Sequence, residues 1–325
     1  MLVAYIAQGG ALKTQVVGPQ DAAPSDAVWL DLVSPVDGED GRVEAAVGVE
    51  IPTREEMQEI EPSSRLYVQD GARYMTLSVL CGAMTDTPSV TPVTFILANG
   101  KLVTVRYAEP RAFPLLAQRM QKACPVRVTG EVLLFEFLDT IIDRTADVLE
   151  HCAAGIERLS KRVFEREQGG NANKQYRAIL THVGRQEGLT SYARESLSSL
   201  SRMLAFLGAE IEDVQAISKE QRSALKSMHR DVAGLADYAN FLANKLQFLL
   251  DGTIGMVSLE QNNIIKIFAV LSVVLMPPTL IASIYGMNFQ HMPELHAAIG
   301  YPLALTAMAV SAITPYLFFK WRGWL

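Results

Sequence analysis

Ile267–Tyr285 reads IFAVLSVVLMPPTLIASIY, nineteen residues without a charge. Ala297–Phe319, after a short loop, reads AAIGYPLALTAMAVSAITPYLFF, again uncharged. A helix needs about 20 apolar residues to cross the hydrocarbon core, so each run is long enough to span. Backbone in lipid must satisfy its own hydrogen bonds, which leaves helices as the form both runs take. Orientation follows from the flanks. Residues 286–296 contain no Lys or Arg, whereas Lys266 precedes the first run and Lys320 and Arg322 follow the second. The positive-inside rule puts both ends in the cytoplasm and the loop outside. Trp321 and Trp324 stand where an interfacial belt belongs.

The rest of the chain fits that anchor. The N-terminal MLVAYIAQGG has no basic region ahead of its apolar residues and reads as a strand, not a signal peptide. A net charge of −6 argues against nucleic acid as a partner and suits a protein that handles cations. Cys81, Cys124 and Cys152 are scattered and odd in number, as reduced thiols are. The five histidines form neither a His-x₃-His pair nor HExxH. No Gly-rich phosphate loop, GxSxG or CxxC occurs, so neither an enzyme nor an organic cofactor is expected.

Over residues 1–125 short apolar runs alternate with turn signals. Leu2–Ile6, Gln15–Val17, Val28–Leu32, Leu66–Val68, Tyr74–Leu80, Val93–Leu97 and Leu102–Tyr107 read as strands. Asp70-Gly71 and Asn99-Gly100 mark hairpins. Residues 37–47 and 53–60 read as helices, the second opening on a Thr53/Glu56 capping box. The class is α/β with a largely antiparallel sheet.

No proline lies between Pro125 and Pro277, and Leu, Ala, Glu, Arg and Gln dominate there. Gln168-Gly169-Gly170-Asn171 divides a helical hairpin, 130–167 against 173–207, and a second break is expected near Gly208. Beyond it Leu225, Met228, Val232, Leu235, Ala239, Leu242, Leu246 and Leu249 keep a 3-4 spacing, which predicts helix-on-helix association. Nothing after Leu249 forces a stop before Pro277-Pro278, so this helix is expected to run into the first span and to couple the two ends.

Two spans cannot enclose a pore, so transport would require an oligomer. Counting by threes and fours from Asn262 gives Ile265, Ala269, Ser272, Met276, Thr279 and Ser283, the stripe of the first span richest in small and hydroxyl side chains. Polar groups inside a span face a cavity or another helix; packing through small residues is the other reading. Pro277 and Pro278 withdraw two donors and free carbonyls near Val273 and Val274.

The loop carries the most specific motif: Tyr285-Gly286-Met287-Asn288-Phe289, then Met292-Pro293-Glu294-Leu295, then Gly300-Tyr301-Pro302. Together with Trp29-Leu30-Asp31-Leu32-Val33-Ser34-Pro35, Thr53-Arg54-Glu55-Glu56-Met57 and Glu260-Gln261-Asn262-Asn263-Ile264-Ile265-Lys266, it resembles the CorA-type magnesium/cobalt transporters over essentially the whole chain. The resemblance implies a funnel-shaped homopentamer in a bacterial inner membrane, with both termini cytoplasmic and with lipid and divalent cations as its other partners. Its segments would be a cytoplasmic α/β domain 1–125, a helical hairpin 126–215, a long stalk helix 216–263, a pore-lining span 264–285, an extracytoplasmic loop 286–300, a second span 301–320 and a basic tail 321–325.

The resemblance also implies roles. Gly286, Met287 and Asn288 would form the selectivity mouth, and Asn262, Ile265, Phe268, Met276 and Thr279, joined by Ser272 from the counted stripe, the pore or gate. Glu294 would concentrate cations outside. Asp251 would lie at the cytoplasmic mouth, and Asp231 would bind a regulatory Mg²⁺ between subunits. The cargo would be Mg²⁺, with Co²⁺ and Ni²⁺ as further candidates. A zinc or other divalent exporter of the same superfamily is the alternative within transport; a non-transporting membrane-anchored helical scaffold is the alternative outside it.

Overall fold

The computed structural model of the chain describes residues 1–36, 38–125, 127–164, 172–213, 219–288, 292–293, 297 and 299–324. It divides into two compact units, Met1–Leu250 and Asp251–Leu325.

The first unit is built on a seven-stranded sheet: β1 (Leu2–Gln8), β2 (Ala11–Val16), β3 (Ala27–Val33), β4 (Leu66–Gln69), β5 (Ala72–Cys81), β6 (Ser89–Ala98) and β7 (Lys101–Arg106), in the order β2-β1-β3-β7-β6-β5-β4. Every pairing is antiparallel except β3 with β7. Asp70 and Gly71 (φ 52° and 80°) and Asn99 and Gly100 (φ 51° and 73°) take the left-handed conformation that tight hairpins need. Gly9 and Gly10 do the same, making β1–β2 a two-residue hairpin. Strand β2 therefore begins at Ala11, four residues before the expected Gln15–Val17, and ends at Val16.

Both faces of the sheet are covered, which is why its central strands read as near-continuous apolar runs. Leu30, Leu32, Tyr74, Ile96 and Val103 lie on one face with Val43 and Val47 of α1 (Glu39–Val47) and Met57 of α2 (Arg54–Met57). Thr53 and Glu56 complete the capping box, with Glu56 N–H donating to Thr53 Oγ1 at 3.3 Å and Thr53 N–H to Glu56 Oε2 at 2.8 Å. The helix expected to reach residue 60 ends at Met57. Glu61 is extended because it precedes Pro62, which opens the separate turn α3 (Pro62–Arg65).

The opposite face carries Trp29, Met75, Leu77, Phe95 and Leu102 against α4 (Ala112–Lys122), α5 (Gly130–Phe164) and α6 (Ala172–Asp213). Trp29 stacks on Tyr5 at 3.8 Å and meets the Phe137 ring edge-on at 5.0 Å. Helix α4 was not expected from the sequence. Its Pro114 sits in the first turn, where a missing N–H breaks no hydrogen bond.

The division expected near Gly208 comes later: α6 runs through that residue to Asp213, and the next helix begins at Lys219. Mid-helix glycine costs about 1 kcal/mol, and the buried Leu204 and Leu207 hold the turn around it. Residues 214–218 lie outside the described residues. Helix α7 (Lys219–Tyr285) then carries the apolar stripe from Leu225 to Leu249. Leu225, Met228, Val232, Ala239, Leu242, Leu246 and Leu249 join the core formed by α5 and α6. Lys245 Nζ donates to Glu157 Oε2 at 2.9 Å, and Phe248 meets Phe164 at 5.8 Å.

The second unit contains the rest of α7 and α8 (Gly300–Trp321). Gly252 and Gly255 cause no interruption, and Pro277 and Pro278 lie inside α7.

Candidate functional site

The end of α7 and α8 are long and apolar enough to cross a bilayer, yet only 6% of the most apolar window of each is buried. The core helix of a soluble protein would have that surface covered; here it faces outward, as lipid-facing surface does.

The little coverage there is falls on one side of each helix. On α7, Val270 is buried and Val274, Pro277, Pro278, Ile281 and Tyr285 are half-buried, at spacings of three and four. On α8 the half-buried residues are Ala304, Met308, Ser311, Ala312, Pro315 and Phe319, again one stripe. One covered stripe on each helix is the pattern that helix packing leaves.

Asn262, Ile265, Ala269, Ser272, Met276, Thr279 and Ser283 are all exposed in the single chain. At about 100° per residue their stripe centres roughly 160° around α7 from the covered one. The polar, small-residue face is therefore the face left open. Ser272 Oγ donates to Phe268 O at 2.9 Å and Thr279 Oγ1 to Leu275 O at 2.7 Å. Each hydroxyl thus spends its hydrogen on its own helix and turns acceptor lone pairs outward. Phe268, on the shoulder of this face, is 64% exposed, and Met276 is 69% exposed.

The helix ends at the motif. Gly286 N–H donates to Ala282 O at 2.9 Å and Met287 N–H to Ile284 O at 3.2 Å. A Cβ on Gly286 would sit 3.1 Å from that Ala282 oxygen, so glycine eases the last turn. Asn288 follows, exposed and no longer helical, so its amide is available beyond the helix end. Glu294 lies outside the described residues.

Asp251 is exposed at the start of the second unit. Asp231 is exposed on the part of α7 that belongs to the first unit. There it approaches an acidic pair one helical turn apart on α5: Asp139 is raised above the usual carboxylate range by burial, then by Asp143, with Asp231 adding to the effect. The i,i+4 spacing of Asp139 and Asp143 can be read from the sequence; their nearness to Asp231 on another helix cannot. Among the described residues of one chain, no group of three or more His, Cys, Asp or Glu side chains is arranged to hold a metal ion.

Residues 24–321 match the protein family described as CorA-like Mg²⁺ transporter protein. The chain belongs to the CorA family. The magnesium transport protein CorA of Yersinia pseudotuberculosis is 33% identical over 325 residues, all of both chains. That of Escherichia coli K12 is 34% identical over 300 residues, 92% of each. Among solved structures, the complete CorA magnesium transporter from Methanocaldococcus jannaschii superposes with a TM-score of 0.76 at 18% identity, covering 100% of this chain and 99% of that one. The ZntB cytoplasmic domain from Vibrio parahaemolyticus gives 0.55 at 11% identity, covering 79% and 97%. The fold of the cytoplasmic domain is thus shared across proteins with different names. Membership sets the chain among transporters rather than enzymes.

Proposed function

We propose that this CorA-family chain is one subunit of a channel-like Mg²⁺ uptake system in a bacterial inner membrane, with both termini cytoplasmic. Five copies surround a path lined by α7. The observation that carries this reading is the open polar face of α7, directed away from the face covered in the single chain and leading to Asn288. Lipid offers the outward lone pairs of Ser272 and Thr279 and the amide of Asn262 no hydrogen-bond partner, whereas a water-filled axis solvates them.

Mg²⁺ dehydrates reluctantly and is usually bound through several of its waters. A ring of Asn288 amide oxygens with Gly286 carbonyls offers neutral acceptors to that water shell, and Glu294 adds an acidic outer ring. Inside, Met276, Phe268 and Ile265 form apolar constrictions that close by dewetting, while Thr279, Ser272 and Asn262 supply polar steps between them. Co²⁺ and Ni²⁺, hydrated octahedral ions of similar size, pass by the same contacts.

Regulation follows from the acidic surface of the first unit. Mg²⁺ bound between subunits at Asp231, with Asp251 near the cytoplasmic mouth, holds the closed state, and loss of internal Mg²⁺ shifts the population to the open one. The names of the full-length relatives support magnesium as the cargo over the zinc alternative. The test is uptake into liposomes carrying the purified protein, with Mg²⁺, Co²⁺, Ni²⁺ and Zn²⁺ supplied in turn. Mg²⁺ influx is expected. No flux of any ion, or Zn²⁺ efflux alone, would reject the assignment.

A further inference from the structure

A cavity of about 380 Å³ lies between α5 and α6, beneath the β5–β6 loop at Ala83 and Met84. Its charged lining is entirely basic, Arg158 and Arg162 from α5 and Arg185 from α6, and the imidazoles of His151 and His182 stand beside them. Arg185 is fixed by the loop, with Nη2 donating to Thr85 O at 3.0 Å and to Asp86 Oδ1 at 3.4 Å. Arg158 and Arg162 make no ion pair or side-chain hydrogen bond among the described residues. They stand four residues apart on one helix, an arrangement of like charges that weakens an isolated helix.

The floor has its own feature. Gly155 lacks the Cβ that would lie 2.9 Å from Gln186 Cδ, so the Gln186 amide lies flat across α5. Its Oε1 is buried and has no hydrogen-bond partner among the described residues. A second cavity of about 340 Å³ adjoins at Ala83 and Met84; Val79, Leu80, Ile141 and Val148 wall it, and Glu109, Arg111, Arg144 and Asp147 also line it, two acidic against two basic. The two together offer a cationic compartment beside a mainly apolar one whose formal charges balance.

We propose that this double cavity binds a phosphorylated small molecule carrying at least two phosphates. The phosphates sit among Arg158, Arg162 and Arg185, whose planar forks match phosphate oxygens in pairs. A protonated phosphate oxygen or a ligand hydroxyl donates to Gln186 Oε1. The organic part of the ligand enters the apolar compartment. None of the transport residues takes part.

The test is calorimetric titration of the full-length, detergent-solubilised protein in chelator-treated buffer with pyrophosphate and with ADP. Saturable binding of pyrophosphate is expected, with ADP binding about tenfold tighter because it also fills the apolar side. Arg158→Gln combined with Arg162→Gln is expected to weaken both by at least about tenfold, given the strength of charge-assisted pairs. That variant keeps cation flux in liposomes, which shows that it is folded and reads transport separately. Absence of saturable binding would mean that the chain neutralises these arginines itself and would overturn the proposal. So would unchanged binding in the double variant. Equal affinity for pyrophosphate and ADP would overturn the role given to the apolar compartment.

Discussion

Arg106 grips Asp31 across the parallel strands β3 and β7, with Nη2 2.9 Å from Oδ2 and Nε 3.2 Å from each carboxylate oxygen. Asp31 is 1% exposed and Arg106 9%. Thr104, directly opposite Asp31 in the register, donates to Oδ1 at 2.7 Å and accepts from Trp29 Nε1 at 2.9 Å. The guanidinium also lies 4.5 Å from the Phe113 ring and donates to Ala108 O at 2.9 Å. Burial pushes the Asp31 carboxyl up, and Arg106 and Thr104 oppose that shift. Removing one partner strands the other without water. Arg106→Met alone is expected to lower stability by about 3–5 kcal/mol, because a buried carboxylate is left unpaired. Adding Asp31→Asn should restore part of the loss. Urea unfolding of the solubilised chain checks this, and additive effects of the two substitutions would contradict it.

The three thiols should separate by reactivity. Cys81 and Cys152 are buried, whereas Cys124 is partly exposed. Burial pushes the Cys81 thiol up to about 11 and also raises Cys152. The thiolate is the reactive form, so at pH 8 Cys81 is almost wholly protonated as well as covered. Alkylation at that pH, followed by peptide mass spectrometry, is expected to label Cys124 first and the other two only after denaturation.

At Gly130 the backbone of α5 meets the backbone of the sheet directly. The Gly130 N–H donates to Gly100 O at 2.8 Å at the β6–β7 turn, and a Cβ there would stand 2.5 Å from the Lys101 carbonyl carbon. Backbone, not a movable side chain, occupies that space. Gly130→Ala therefore has to displace α5 from the turn, at a cost of about 1–3 kcal/mol by analogy with overpacking. The loss should appear as a lower unfolding midpoint with cation flux unchanged at moderate temperature.

The spans, the hairpin turns and the stalk stripe were legible because each rests on a local rule: length without charge, Asn-Gly or Asp-Gly at the turn, and apolar residues every three or four positions. Helix α4 was not legible, since Pro110 and Pro114 read as loop until Pro114 is seen to occupy a first turn. The extent of α6 was hidden because Gly208 signals a break, while Leu204 and Leu207 hold the helix together through tertiary burial. The stripe from Asn262 to Ser283 could be counted from sequence alone. That it lies opposite the covered face of α7 could not, because Val270 and Ile281 look no different in sequence from Val273 and Leu280. The acidic neighbourhood of Asp231 was likewise out of reach, for it joins α5 and α7 across many residues.

If Asp231 contributes to the closed state, its charge is what matters. Asp231→Asn removes a carboxylate from beside Asp139 while keeping size, so Asp139 should titrate closer to its ordinary range. Flux through the variant is expected to persist at internal Mg²⁺ concentrations that shut the parent protein, roughly a several-fold shift in the inhibiting concentration for one lost charge. Inhibition that coincides in the two proteins would remove Asp231 from the regulatory site.

Asn288 is the sharpest test of the mouth. It follows the last turn of α7, where the Gly286 and Met287 N–H groups still bond back into the helix, and it is exposed. Among the described residues its side-chain amide makes no hydrogen bond that alanine would remove. Asn288→Ala should leave the oligomer intact by size-exclusion chromatography and light scattering. Mg²⁺ uptake should nevertheless fall below about a tenth of the parent rate, because the acceptors for the ion's water shell are gone. Asn288→Asp separates geometry from charge: it keeps the oxygen but makes a ring of carboxylates that binds the ion more strongly and releases it slowly. Uptake by that variant should saturate at lower Mg²⁺ with a reduced maximum rate. Parent-like uptake by the alanine variant would show that ions enter elsewhere, and the open face of α7 would then have to be explained by helix packing.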